Sequence, residues 1–494
     1  MKKRNLLGFD FGASSGRAML GEFDGEKLEL TELHRFSNDP VTMAGRFLWD
    51  TPRLFFEMKQ ALLKAKNGGV DLDTIGIDTW GVDYGMLDKN GRLMSLPVHY
   101  RDSRTDKMRE KAYSIVPKDE IFARTGLAFQ SFNTLYQLMA MRHEGDWTLD
   151  NADTMLFTPD LLAYFLTGEK ATEYTIASTS QMIDPVRRDW DKELLKKLDI
   201  PTHFLTAIQQ PGEMRGKLLA DIAEETGVGR VPMVAVGSHD TASAVAAVPA
   251  KEKNFAYISS GTWSLLGAET LQPLCSREVM ELNYTNEGGV CGTTRLLKNI
   301  MGLWIIQECK REWDRRGGTE GFGELMLLAE QADPFIAVLD VDDERFLAPG
   351  GMPERIQAYC AETNQRVPQT KGEICRVIYE SLALKYRWAV EQMEEKLLGH
   401  RVDVLHIVGG GSKNTMLNRM TANAIGRPVI TGPSEGTVIG NVLVQAMAIG
   451  DIANMNELRE VVARSFPTED YLPENGSAAI WDEAYARLLK RMEA

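Results

Sequence analysis

The sequence predicts an α/β protein of two similarly built domains. Three observations carry this prediction. Strand and helix signals alternate along the whole chain, with no Pro-rich or Ser-rich linker and no low-complexity tract. The 494 residues exceed what a single core organises. One layout also occurs twice, at the opening of each half. A strand enters a turn of small residues and a second strand leaves it, in LLGFDFGASSGRAML (6–20) and in NFAYISSGTWSLLGAE (254–269). The boundary is placed near 246–254, which gives domains 1–245 and 246–494.

Elements follow in chain order. Thr51-Pro52 with Leu54, Phe55, Met58, Ala61 and Leu62 at helical spacing predicts an amphipathic helix with Pro in its first turn. Gly68-Gly69 ends it. TIGID is a strand ending in Asp78 and leads into TWGVDYGML. Residues 155–200 read as mainly helical, with a stop at Leu166-Thr167-Gly168. VPMVAVGSHD (231–240) is a short apolar strand with a polar end, and the helical TASAVAAV comes after it. LHIVGGGSKN (405–414) ends another apolar strand in glycines.

Charge and composition exclude several functions. Lys and Arg total 56 against 70 Asp and Glu, a net charge of −14, so nucleic acid and anionic membrane are not the main partners. No apolar run approaches the ~18 residues of a membrane helix. Lys2, Lys3 and Arg4 mimic the start of a signal peptide, but Asp10 and Arg17 interrupt the apolar run behind them, so no signal and a cytoplasmic location are expected. The five cysteines form no CxxC pair, and reduced thiols are expected. The spacing leaves a Cys360–Cys375 pair open. The seven histidines show no metal-binding pattern.

The chemistry is read from the turns. GxxxxGK[ST] and GxGxxG are both absent. Gly and Ser at a tight bend expose consecutive backbone amides that can cradle an anion, so the two hairpins suit a polyphosphate. A carboxylate such as Asp10 beside phosphates fits only with a cation between them. Alone, Asp10 reads better as a turn residue bonding its own backbone; the two hairpins and the third glycine cluster favour the nucleotide reading. Ser238-His239-Asp240-Thr241 lies where a strand meets a helix. These residue types are preferred helix caps, and Asp240 is also suited to accept a hydroxyl proton during phosphoryl transfer. Trp80, Gly81, Asp83 and Tyr84 could line a polyol pocket.

FGASSGR, IDTWGVDY, YRDSRT, FNTLYQL, ATEYTIASTSQ, SHDTASAV, SSGTWSL, NEGG, LKNIMGLW and HIVGGG, in this order, resemble the FGGY sugar kinases of the actin/hexokinase/Hsp70 ATPase superfamily. The resemblance spans essentially the whole chain. It implies two ribonuclease-H-like domains with a cleft between them. It assigns Ala13, Ser14, Ser15, Gly16, Arg17, Thr262, Gln307 and Gly410 to ATP. Gly81, His239, Asp240, Thr241 and Asn299 would contact the sugar, Asp240 would accept the proton, and Mg²⁺ would sit near Asp10 through water. The branch that fits best acts on L-rhamnulose, so the implied reaction moves the γ-phosphoryl of ATP to its C1 hydroxyl. Tyr100 stands where many of these kinases carry Trp, and Gln137 where they carry Lys. Another ketose, such as L-fuculose or L-xylulose, and a sugar-independent ATPase are the alternatives.

Overall fold

The computed structural model describes residues 3–493. Lys2, the first of the basic residues ahead of the first strand, lies outside the described residues. The chain divides into two compact units. The first takes in the chain up to Pro249, then Glu269–Leu296 and Gly436–Ser465. The second takes in Ala250–Ala268, Leu297–Glu435 and the chain from Phe466 onward.

The first unit is built on a six-stranded sheet. Its strands in chain order are β1 (Arg4–Phe11), β2 (Ser15–Phe23), β3 (Leu28–Ser37), β4 (Thr74–Thr79), β5 (Met214–Lys217) and β6 (Pro232–Val234). Across the sheet the order is β5-β6-β4-β1-β2-β3. The inner strands β1 and β4 pair in parallel, and all six residues of β4 are buried. Parallel strands covered on both faces read as continuous apolar runs, as LLGF and TIGI do.

Helix α1 (Thr51–Asn67) covers this sheet as its spacing predicts. Asp50 caps it by accepting from the Arg53 amide, and the chain leaves at Gly68. Leu54, Met58, Ala61 and Leu62 pack with Leu7, Phe9, Ile75 and Ile77 in one core cluster. Each large apolar side chain buried there contributes roughly 1.5–3 kcal/mol. The helix after the SHD motif, α2 (Asp240–Ala246), is almost entirely buried.

The second unit repeats the arrangement. Strands β7 (Phe255–Ser260) and β8 (Trp263–Thr270) form an antiparallel hairpin, as β1 and β2 do. β9 (Thr294–Met301), whose residues up to Leu296 belong to the first unit, precedes helix α3 (Trp304–Arg315). β7 then pairs in parallel with β10 (Val404–Val408), as β1 pairs with β4. β11 (Val429–Thr431) and β12 (Glu469–Tyr471) continue the sheet in the order β8-β7-β10-β11-β12. Helix α4 (Gly436–Ala448) belongs to the first unit although it comes after β11 in sequence.

The expected helical region 155–200 departs from its prediction. After the helix Thr158–Thr167 and its left-handed Gly168 cap, the chain breaks into short strands and single turns. Glu173 accepts from the amides of Thr175 and Ile176, and Ser178, Thr179 and Ser180 each bond a carbonyl three residues back. Such local bonds compete with helix propagation. All five cysteines are free thiols. Among the described residues no helix is long and apolar enough to cross a membrane.

Candidate active site

Three carboxylates come from three adjacent chain ends in the first unit. Asp10 lies near the end of β1. It stands in register with Asp78 on the parallel strand β4 and with Arg17 on the antiparallel strand β2. The chain beyond β6 then passes β4. Thr79 bridges to His239, and its amide donates to the Ser238 carbonyl. Asp240 is therefore delivered one residue past the edge of the Asp10–Asp78 pair.

This layout sets the electrostatics. Arg17 donates to Asp10 Oδ2 through both Nε and Nη2, at 2.9 and 2.7 Å. Burial nevertheless holds the Asp10 carboxyl above its ordinary value, against the pull of Arg17, and the Asp240 charge adds to the rise. Asp78 is fully buried and is pushed well up by burial and then by the Asp10 charge. Adjacent buried carboxylates cannot both ionise cheaply. Asp78 Oδ2 accepts from Asn441 Nδ2 at 2.6 Å, while Oδ1 has no hydrogen-bond partner. An orphaned carboxylate oxygen beside a second acid suits a hard cation. Among the described residues no group of three or more His, Cys, Asp or Glu could hold a metal by itself, so water or phosphate oxygens would have to complete its shell.

The surroundings of Asp240 treat its two oxygens differently. Oδ1 accepts from the Thr241 amide at 2.5 Å and from the Thr241 hydroxyl at 3.0 Å, and His239 Nε2 lies 3.4 Å from it. Oδ2 is the oxygen left for a hydroxyl. The backbone here is held from behind. The Ser238 amide donates to Glu173 and the His239 amide to the Thr175 hydroxyl. On its other side the His239 ring meets two residues from a distant stretch, Glu287 and Arg295.

Gly81 lies just past the end of β4. A Cβ there would lie 3.1 Å from the Thr179 side chain, so only glycine keeps this approach without displacing a neighbour. Asp83 has a structural task. Its oxygens accept from Trp49 Nε1 at 2.6 Å, Trp80 Nε1 at 3.1 Å, the Tyr100 amide at 3.1 Å and Gln137 Nε2 at 3.0 Å. Burial pushes its carboxyl up to about 6 despite these donors. With its acceptors engaged it ties the loop to the Trp49–Trp80–His99 stack instead of facing a ligand. Tyr84 is likewise buried, its hydroxyl on Met141. Gln137 is thus a partner of Asp83.

The first hairpin turns tightly at Gly12, whose amide donates to Ser15 O at 2.9 Å. Ser14 and Ser15 are exposed at the bend, with Ala13 half-buried beside them. Gly16 has no room for a side chain, since a Cβ would lie 2.2 Å from the Phe36 ring. In the second unit Gly261 makes the matching turn. The Thr262 hydroxyl donates to Gln307 Oε1 at 3.2 Å, and the Trp304 amide donates to Thr262 O, which docks the start of α3 on the hairpin. Gly409 and Gly411 lie against Ser260. A Cβ on Gly411 would meet its Oγ at 2.0 Å, whereas Gly410 faces open space. Thr262, Gln307 and Gly410 thus gather at one hairpin. Asn299 is half-buried on β9 in the same unit.

Asp78, Asn441 and Gln445 were not singled out from sequence. Asn441 and Gln445 project from α4, four residues apart. Gln445 donates to Leu7 O and Asn441 Oδ1, and accepts from the Thr74 hydroxyl. Their signal was two amides at helical spacing within the otherwise apolar VIGNVLVQAMA.

This fold, with phosphate-type hairpins in both units and an acid cluster in one, is that of solved carbohydrate kinases. The xylulose kinase of Lactobacillus acidophilus matches with a TM-score of 0.82 at 14% identity, covering 99% of this chain and 98% of that one. The ADP-bound glycerol kinase of Plasmodium falciparum matches with a TM-score of 0.80 at 14% identity, covering 99% and 98%. The α/β class with two ribonuclease-H-like units expected from the sequence is therefore the observed fold. The models of the FGGY family of carbohydrate kinases match at residues 5–247 for the N-terminal domain and 256–449 for the C-terminal domain. The chain belongs to this family and is a phosphotransferase with an alcohol group as acceptor. Among curated relatives, the rhamnulokinase of Bacteroides thetaiotaomicron is 43% identical over 483 residues, 98% of each chain. Those of Oceanobacillus iheyensis and Bacillus subtilis are 41% and 39% identical, covering 94% of this chain and 97% and 95% of theirs.

Proposed function

We propose that this kinase transfers the γ-phosphoryl group of ATP to the C1 hydroxyl of L-rhamnulose, giving L-rhamnulose 1-phosphate for L-rhamnose breakdown in the cytoplasm. The observation that carries the reading is near-full-length similarity to curated rhamnulokinases at 39–43% identity. Residues 1–245 supply the first phosphate hairpin, the sugar contacts and the base. Residues 246–494 supply the rest of the nucleotide site.

The chemistry assigns each residue a task. Ala13 to Arg17 and Thr262 present amides and hydroxyls to the phosphates, with Gln307 and Gly410 on the nucleotide. Gly81, His239, Thr241 and Asn299 hold the ketose. Asp240 accepts the hydroxyl proton on Oδ2, while Thr241 fixes Oδ1. A loose phosphoryl transition state makes orientation of the hydroxyl at least as important as basicity. Mg²⁺, held near Asp10 and Asp78 largely through water, would neutralise phosphate charge. Arg17 keeps Asp10 oriented in the meantime.

The test is coupled ADP release with Mg²⁺–ATP against L-rhamnulose, L-fuculose, L-xylulose, D-xylulose and glycerol, beside a blank without sugar. A clear maximum on L-rhamnulose is expected. A maximum on another ketose overturns the substrate, and turnover in the blank equal to that with every sugar overturns the kinase reading of the site.

A further inference from the structure

We propose that Arg295 is a positioning residue that sets the tautomer of His239 and, through that ring, the hydrogen-bond polarity at Asp240. The proposal rests on Asp240 being the proton acceptor. Asp240, His239, Glu287 and Arg295 all belong to the first unit.

Arg295 is a fully buried guanidinium at the start of β9. Burying such a charge is costly unless it is matched. Glu287 matches it, with Oε2 at 3.1 Å from Nη2, and Nε donates to Gly288 O at 2.8 Å. Nη2 also lies 3.1 Å from His239 Nδ1 in hydrogen-bonding geometry. Glu287 Oε2 lies 3.2 Å from the same ring nitrogen, yet no donor is aligned with it. That difference decides the polarity. A guanidinium can only donate, so the Nδ1 it addresses must carry a lone pair. The ring proton is then on Nε2, which faces Asp240 Oδ1 at 3.4 Å.

The consequence reaches the base. With Nε2–H as donor, His239 joins the Thr241 amide and hydroxyl on Oδ1 and leaves Oδ2 to the sugar hydroxyl. With the proton on Nδ1, a lone pair on Nε2 would face a carboxylate oxygen and turn Asp240 from its position. The charged groups around the ring are Arg295 and Glu287 on one side and Asp240 on the other. Among them Glu287 favours the opposite tautomer, so removing Arg295 alone should invert the ring.

The experiment is ¹⁵N NMR of the histidine rings in full-length protein at neutral pH, with His239→Gln used to assign the resonances. The wild type is expected to show a neutral His239 protonated at Nε2. A ring protonated at Nδ1, or doubly protonated, overturns the proposal. Arg295→Met is expected to lose the Nε2–H form and to lower kcat about tenfold or more with KM for ATP unchanged. Arg295→Lys, which keeps a buried donor, should restore both in part. An unchanged tautomer in a folded Arg295→Met also overturns it. If that variant does not fold, the wild-type spectrum decides alone. Full activity in Asp240→Asn would instead sink the base assignment and leave the tautomer assignment standing.

Discussion

Asp10 and Asp78 stand opposite each other in register across the parallel strands β1 and β4, two acids on neighbouring backbones inside one core. Burial lifts both carboxyls, and Asp78 more strongly. A raised folded value means that the folded chain binds the proton more tightly than the unfolded one. The contribution of Asp78 to stability is thus complete below its ordinary 3.8 and is lost as pH rises through its folded value. Asp78→Asn keeps an oxygen for Asn441 and removes that loss. Its melting temperature is expected to exceed that of the wild type near pH 8, with the gap closing toward pH 4. Parallel melting curves across that range would contradict a raised Asp78 carboxyl.

Asp240→Asn retains size and an acceptor for the Thr241 amide but cannot take a proton. Phosphoryl transfer should fall by about 10²–10⁴-fold in kcat, with KM for ATP little changed. Steady-state ADP release measures both, and full activity would remove Asp240 from the role of base.

Thr262→Val removes the hydroxyl that bonds Gln307 at the second hairpin. A single neutral hydrogen bond is worth roughly 0.5–1.5 kcal/mol, so KM for ATP should rise roughly two- to tenfold. The KM for sugar should hold. Titration of each substrate at saturating levels of the other separates the two, and a rise confined to the sugar would place Thr262 elsewhere.

Gly440 of α4 comes so close to α2 that a Cβ would lie 1.8 Å from Ser243 O, a backbone atom. Gly440→Ala should cost about 1–3 kcal/mol as the two helices part. Gly410→Ala is the control, since nothing lies within 4 Å of its Cβ position. Thermal unfolding should separate the pair clearly, and equal midpoints would show that the helices can shift at no cost.

Legibility in the sequence was local. The hairpins, α1, the strand before Asp78 and the SHD junction announce themselves through apolar periodicity, caps and small turn residues within a few positions. Asp78 could not be ranked above other strand-end acids, because its donor Asn441 is 363 residues away. Asp83 looked like a sugar contact until Trp49 and Gln137 were brought onto it by folding. Buried polar residues between 172 and 181 read as helix because their competing bonds to nearby backbone leave no periodic trace.

The three-piece make-up of the first unit has a consequence in time. Ribosomes add about 5–20 residues per second, so roughly ten to forty seconds separate the appearance of Pro249 from that of Gly436. For that interval β1 and β4 exist without α4, and Asp78 lacks its amide donor. A nascent chain released early would carry this acid-lined core open on one side, a mark by which proteases could tell an unfinished molecule from a finished one.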